Sequence, residues 1–279
     1  AVHCGLAPLR AIKAHAAAVT AQRLHACMPV QAVPVELADL AHTLNQMLER
    51  LQDDFRRLSE FASDLAHELR TPISNMLTQT QVTLAAQRDN TAYRDILASN
   101  AEELQRLARM VADMLFLAKT ERGVDLPHKE RFMAADEAQA LLGFYEAVAD
   151  DKGISLTAQG NGSIEGDRLM FRRALSNLLS NALRHTPAGG NVRIIVIALP
   201  NGTEVSVENT GEDIDPEVLP RLFDRFYRAD PARAHPTSDG AGLGLAITKA
   251  IVEAHGGRAS VKSAQGVTCF FLVFPHSGE

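Results

Sequence analysis

Apolar residues in the first part of the chain recur at alternating steps of three and four positions. This seam consists of Leu44, Leu48, Leu51, Phe55, Leu58, Ala62, Leu65 and Leu69. The spacing is the heptad pattern of a helix that packs against other helices. It predicts one long helix from near Glu36 to about Ala86, preceded by a separate amphipathic helix over residues 6–24.

A second apolar seam follows a turn at residues 87–90, where Asn90 or Thr91 is placed to cap a new helix. Its positions are Leu97, Leu104, Leu107, Val111, Met114 and Ala118, with Asn100 in the same row. Pro72 lies inside the first helix and should bend it. A hairpin of these two helices would leave both apolar seams partly uncovered. We therefore expect two copies of the chain to form a four-helix bundle that buries them.

Beyond Gly123 and Pro127 the pattern changes to short strands mixed with helices. The strands are predicted at 154–157, 192–199, 205–208, 259–263 and 267–274, and the helices at 167–183, 219–227 and 245–255. Asp167 caps the first of these helices. This succession predicts an α+β layer with helices on one face of a mixed sheet.

Composition narrows the class of protein. The length of 279 residues favours about two domains, and 46% hydrophobic with 22% charged residues is typical of globular proteins. A net charge of −6 gives no reason to expect nucleic-acid binding. The three cysteines have no metal-like spacing, so we expect reduced thiols. No apolar run reaches 18 residues, so the sequence predicts no membrane-spanning helix within this chain. Because the chain starts at Ala1 without methionine, we expect an upstream part to be missing.

His67 is the first candidate for chemistry. It lies midway between Leu65 and Leu69, roughly 200° from Leu65 around the helix, and therefore faces away from the seam. Thr71 shares its face and Glu68 lies about 100° away. From the helix alone, a solvated surface histidine remains an alternative interpretation.

The helix after Asp167 carries a polar stripe of Asn177, Asn181 and His185 at four-residue steps. Amide oxygens are hard ligands suited to Mg²⁺ when phosphate oxygens and water complete the shell. A solvated helix face is the alternative. The run from Gly240 to Gly244 opens another helix and predicts either a phosphate cradle or a structural turn. Residues 229–239 resemble a loop that closes over a ligand.

These motifs, in this order, resemble the sensor histidine kinases of bacterial two-component systems. Residues 63–72 resemble the phospho-acceptor box, 177–182 the N box, 222–228 the F box and 240–244 the second glycine box. Residues 5–57 resemble a HAMP relay. The arrangement is most similar to the subgroup that senses heavy metals such as copper.

The resemblance implies a multidomain chain. An all-α HAMP relay at 1–57 and a dimeric four-helix-bundle hairpin at 58–122 precede an α+β (Bergerat-type) ATP-binding sandwich at 123–279. It also implies a homodimer, a response-regulator receiver domain as partner, and an upstream transmembrane sensor region. The chain would be the cytoplasmic portion of a bacterial inner-membrane protein.

The same resemblance implies roles for individual residues. His67 accepts the phosphoryl group. Glu68 accepts a proton from the imidazole or orients it, and Thr71 positions a water that dephosphorylates the partner. ATP with Mg²⁺ is the expected ligand, and Asn181 holds the metal. The residues expected to bind the nucleotide are Asn177, Asn181, Arg184, His185, Asn209, Gly211, Phe223, Arg228, Gly240, Gly242, Leu243 and Gly244.

One box departs from the family pattern of Asp-x-Gly-x-Gly. Asn209 stands where the adenine-binding aspartate is expected, and Asp213 replaces the second glycine. A neutral amide is a weaker acceptor than a carboxylate, so we expect weaker or less base-selective nucleotide binding. A degenerate kinase acting as a dimeric scaffold, or an ATPase of the same nucleotide-fold superfamily, are the competing interpretations.

Overall fold

A computed structural model describes residues 35–120, 128–228 and 242–276. The helices are α1 Val35–Leu84, α2 Asn90–Thr120, α3 Ala134–Asp151, α4 Arg168–His185 and α5 Gly244–Ala254. The strands are β1 Lys129–Met133, β2 Ser155–Asn161, β3 Ser163–Asp167, β4 Asn191–Leu199, β5 Gly202–Thr210, β6 Arg258–Ala264 and β7 Val267–Pro275. The chain divides into two compact units, residues 1–87 and 88–279.

The described part of the first unit is the single helix α1, 50 residues long with Pro72 inside it. Its seam is only partly covered within the chain. Leu48 is buried, whereas Leu51 and Phe55 are each 48% exposed and Leu58 is 61% exposed. No helix in the described ranges is both long and apolar enough to cross a membrane. The first predicted helix, over residues 6–24, lies outside the described residues.

The second unit contains a mixed sheet of five strands in the order β2-β4-β5-β7-β6. β2 pairs parallel with β4, and the remaining neighbours are antiparallel. β1 and β3 form a separate antiparallel pair. A parallel pair needs a crossover connection, and the segment containing β3 and α4 makes this connection between β2 and β4.

Helix α4 supplies much of the core because one of its faces is entirely apolar. Its buried residues are Phe171, Ala174, Leu175, Leu178, Leu179, Ala182 and Leu183. The Phe171 ring lies 5.3 Å from that of Phe132 on β1 and 5.6 Å from that of Phe274 on β7. Asp167 caps α4 by accepting a hydrogen bond from the backbone N–H of Met170, at 3.0 Å, as predicted.

The C-terminal part of α2 also packs within the second unit. Met110, Met114 and Leu117 are buried. The Arg173 guanidinium, on α4, pairs with Asp113 and lies 4.4 Å from the centre of the Phe116 ring. Burial raises the pKa of Asp113 even though Arg173 opposes the rise.

Two local predictions are wrong. Asp89, and not Asn90 or Thr91, caps α2, because its carboxylate accepts from the backbone N–H of Ala92 at 2.8 Å. Residues 219–227 do not form a helix beyond the single turn Leu219–Arg221. Phe226 has a left-handed φ of 58°, which ends helical geometry there.

Three elements were not predicted, namely β1, α3 and β3. α3 is anchored by Glu137, which is only 1% exposed. Its carboxylate pairs with Arg168 and with Arg172, the second at 2.6 Å. An acidic residue inside an alanine-rich stretch gives no sign of burial when its two partners lie about thirty residues away in the sequence.

Candidate functional site

The phospho-acceptor box lies on α1. His67 and Thr71 are exposed and Glu68 is half-buried. The exposure of His67 agrees with its predicted direction away from the seam. Thr71 lies one turn further along, and its hydroxyl donates to the backbone carbonyl of His67 at 3.5 Å. The two residues lie on one face of the helix because they are four positions apart.

The polar stripe on α4 meets the second glycine box at its upstream end. The Asn177 amide group donates to the carbonyl of Gly244 at 3.0 Å. Thr248, one turn into α5 and fully buried, donates to the same carbonyl at 2.9 Å. Leu243, which precedes the helix, is 1% exposed. Two side chains from two helices therefore hold the first residue of α5 in place.

The glycine box also contacts the F box. Gly242 has a φ of 70°, and a Cβ added there would lie 2.8 Å from the backbone carbon of Phe226. The Phe226 N–H donates to the Gly242 carbonyl at 3.0 Å, and Phe226 itself has a left-handed φ. Because an L side chain at Gly242 would be both strained and crowded, the close approach requires glycine.

At the downstream end of the polar stripe, α4 meets the first glycine box. A Cβ added to Gly211 would lie 3.0 Å from the carbonyl oxygen of His185. Asn209, at the end of β5, is 5% exposed, and its amide group donates to the Thr210 carbonyl at 3.4 Å. Since Asn177 and His185 are eight residues apart, the two glycine boxes flank about 12 Å of α4.

The last turn of α4 is electropositive. Arg184 and His185 are exposed, and Lys152 donates to the Leu183 carbonyl at 3.1 Å. Desolvation of the imidazole lowers the pKa of His185, and the charges of Arg184 and Lys152 lower it further. The protonated form of the ring is therefore disfavoured beside two cations.

Asn181 fits the role of a magnesium ligand in part. It lies half-buried on the stripe between Asn177 and His185. Among the described residues, no group of three or more His, Cys, Asp or Glu side chains is placed to hold a metal ion. A magnesium ion at Asn181 would therefore need phosphate oxygens and water as its other ligands, which is its usual coordination in nucleotide sites.

The remaining predicted site residues are distributed as follows. Phe223 is half-buried, and its ring lies 6.1 Å from that of Phe270 on β7. Arg228 is exposed at the edge of the described segment. Gly240 and the predicted closing loop at 229–239 lie outside the described residues.

Two residues that fix the positions of α4 and α5 were not predicted. Thr248 holds the Gly244 carbonyl, and His255 joins the end of α5 to Asp167. Thr248 lies inside an apolar helix and His255 precedes two glycines. Neither local pattern predicts which residue the side chain will contact. Their contacts depend on how α4 and α5 pack.

Family comparisons agree with this geometry. Residues 166–278 match the family described as "Histidine kinase-, DNA gyrase B-, and HSP90-like ATPase". Residues 57–123 match the "His Kinase A (phospho-acceptor) domain", and residues 5–53 match the "HAMP domain". The three matches occur in the order in which the sequence motifs were found.

Individual proteins are similar along most of the chain. The sensor histidine kinase CusS of Escherichia coli O157:H7 is 46% identical over 279 residues, which is 100% of this chain and 58% of CusS. The histidine kinase ThkA in complex with the response regulator TrrA has a TM-score of 0.63 at 21% identity, covering 80% of this chain and 64% of that one. Full-length ShkA in complex with AMPPNP has a TM-score of 0.56 at 24% identity, covering 79% of this chain and 47% of ShkA.

The chain therefore belongs to the sensor histidine kinases. Its architecture is a HAMP region, a helical phospho-acceptor region and an α/β ATPase sandwich with a mixed sheet, as predicted. The likeness to ThkA and ShkA supports the fold alone. The chain spans a little over half the length of the relative CusS.

Proposed function

We propose that this chain transfers the γ-phosphoryl group of ATP to His67 and then to an aspartate of a response-regulator receiver domain. The nucleotide-binding step of this proposal is supported by the hydrogen bond from the Asn177 amide group to the Gly244 carbonyl, at 3.0 Å. Gly211 lies against the other end of α4. Residues of both glycine boxes therefore contact α4, the helix that carries the N box. The match to the ATPase family supports ATP as the donor.

His67 suits the acceptor role because it is exposed on a helix surface. One imidazole nitrogen attacks the γ-phosphorus, the bond from that phosphorus to the bridging oxygen breaks, and ADP leaves. The imidazole proton passes to Glu68, which is adjacent and half-buried. Such transfer depends on positioning and charge stabilisation. Asn181 would hold Mg²⁺, which would supply that charge stabilisation.

Thr71 is proposed to serve the reverse reaction, the removal of phosphate from the regulator. Its hydroxyl lies one turn from His67 on the same face, where it can orient a water. A receiver partner is supported by the solved complex of ThkA with TrrA, which concerns that protein. Membrane attachment and metal sensing are proposed for the whole protein by its resemblance to heavy-metal sensors.

The exposed seams support a homodimer. On α2, Leu97 is 67% exposed, Leu104 57% and Val111 40%. Apolar rows of this size at heptad spacing are typical of helices that pack in a bundle. A second copy of the chain would cover them.

Autophosphorylation tests the acceptor. His67→Gln should abolish acid-labile ³²P labelling from γ-labelled ATP, because the nucleophilic nitrogen is lost. His42→Gln is the matched control, since His42 is also an exposed histidine of α1. Labelling that persists in His67→Gln contradicts the assignment. If the unmodified chain binds no nucleotide and takes no label, the scaffold interpretation is favoured instead.

A further inference from the structure

Asp213, which stands where the family pattern has glycine, forms a hydrogen bond in the structure. The Asp213 carboxylate accepts a hydrogen bond from the backbone N–H of Gly266 at 2.8 Å. Two residues earlier, the N–H of Gly211 donates to the Gly266 carbonyl at 2.9 Å. Both backbone polar groups of Gly266 are therefore held by the loop that follows β5.

Gly266 belongs to a rigid turn. Gln265 and Gly266 have φ values of 57° and 76°, and they join β6 to β7 between the paired residues Ala264 and Val267. A two-residue turn with both central residues at positive φ matches the twist of the strands and holds their register. The loop after β5 is thus attached to a stiff hairpin.

A second contact fixes the same loop. The N–H of Ile214 donates to the Ser263 hydroxyl at 2.9 Å, and that hydroxyl also contacts the Thr268 hydroxyl at 2.9 Å. Asp213 is not among the described residues with a left-handed φ, which outside glycine are Phe226 and Gln265. A side chain at position 213 therefore causes no backbone strain.

The other side of the loop faces the candidate nucleotide site. Gly211 approaches the His185 carbonyl at the end of α4, and Asn209 is the buried residue expected to face adenine. The segment from Asn209 to Asp213 is therefore held between α4 and the β6–β7 hairpin.

We propose that Asp213 is a positioning residue for nucleotide binding, an inference that rests on the proposed function. Its side-chain oxygen accepts from the Gly266 N–H and thereby holds Gly211 and Asn209 in their binding conformation before the nucleotide arrives. A glycine at this position, although typical of the family, would release the Gly266 N–H to water and loosen the loop.

Three variants of the full chain test this proposal with a fluorescent ATP analogue. Asp213→Gly should raise the Kd about three- to tenfold, the effect of losing one ordinary hydrogen bond. Asp213→Asn keeps an oxygen acceptor and should bind nearly as the unmodified chain does. Glu217→Gln removes a charge from an exposed carboxylate four residues away and should have no effect.

Two further measurements separate positioning from a general loss of folding. Asp213→Gly should raise the KM for ATP in His67 labelling while leaving the rate at saturating ATP unchanged. Hydrogen exchange should accelerate at the Gly266 amide in Asp213→Gly but not in Asp213→Asn.

Equal affinity of Asp213→Gly and the unmodified chain overturns the inference, as does a loss in Asp213→Asn as large as that in Asp213→Gly. An unmodified chain that binds no nucleotide refutes the proposed function instead.

Discussion

His255 connects the two helices that carry the candidate nucleotide site, and its removal tests how they are joined. Its Nε2 accepts from the backbone N–H of Asp167 at 3.0 Å, and its Nδ1 contacts the Ile251 carbonyl at 2.7 Å. Since a backbone N–H only donates, Nε2 must be unprotonated and Nδ1 carries the hydrogen. The ring also packs edge-to-face on Phe274, with centroids 5.6 Å apart.

The substitution His255→Phe keeps an aromatic ring and removes both hydrogen bonds. It leaves the Asp167 N–H, on a residue only 3% exposed, without an acceptor. An unsatisfied buried donor costs about 1–3 kcal/mol. For a unit of this size, each kcal/mol lowers the melting temperature by about 2–4 °C, so a loss near the middle of that range predicts a decrease of about 4–8 °C.

The same residue makes stability depend on pH. Burial lowers the pKa of His255 from its ordinary value of 6.5, although the Ile251 carbonyl and the Asp167 charge oppose the change. The unfolded chain therefore takes up the proton at a higher pH than the folded chain. The stability contribution is complete above about pH 6.5 and is lost as the pH falls towards the lowered pKa of the folded state.

Thermal unfolding followed by circular dichroism at pH 7.5, 6.5 and 5.5 measures both effects. The unmodified chain should lose more stability across this range than His255→Phe, because only the former retains the titrating imidazole. His185 titrates in both proteins and cancels in the comparison. His276→Phe, at an exposed histidine of the same unit, is the control. An unchanged melting temperature, or an equal pH slope in both proteins, would refute this reasoning.

Two further predictions concern the nucleotide and the dimer. Asn209→Asp should tighten ATP binding by about three- to tenfold and increase its preference over GTP, because a carboxylate is a stronger acceptor; unchanged affinity and selectivity in a binding titration would contradict the role of Asn209. Leu104→Asp should weaken self-association by roughly tenfold or more in analytical ultracentrifugation, since burying a leucine contributes about 1.5–3 kcal/mol. Gln105→Asp adds the same charge beside the seam, and equal weakening by both variants would argue against the predicted interface.

Local patterns predicted α1, α2, α4, α5 and the strands of the five-stranded sheet. The heptad steps predicted α1 and α2, and alternation at residues 154–157 predicted β2, because these elements repeat their apolar residues at one fixed period. Asp167 was recognised as a cap because capping involves residues only three positions apart.

Elements without such a repeat were missed or misjudged. α3 packs through three alanines, Leu142 and one carboxylate, Glu137. The burial of Glu137 depends on its ion pairs with Arg168 and Arg172. The segment at 219–227 has helical composition, yet Phe226 adopts a left-handed φ where its N–H meets the Gly242 carbonyl. This long-range contact overrides the local preference.

The sequence by itself determined which residue types belong to the candidate site, since His67, Asn177, Asn181 and the glycine boxes stand in short motifs. Only the tertiary structure decided which of them meet. It showed that Asn177 holds Gly244, that Gly211 lies against the end of α4, and that Asp213 is bound to Gly266. A motif records the chemistry of neighbouring residues, whereas a hydrogen bond between residues 53 positions apart exists only once the strands and helices have packed.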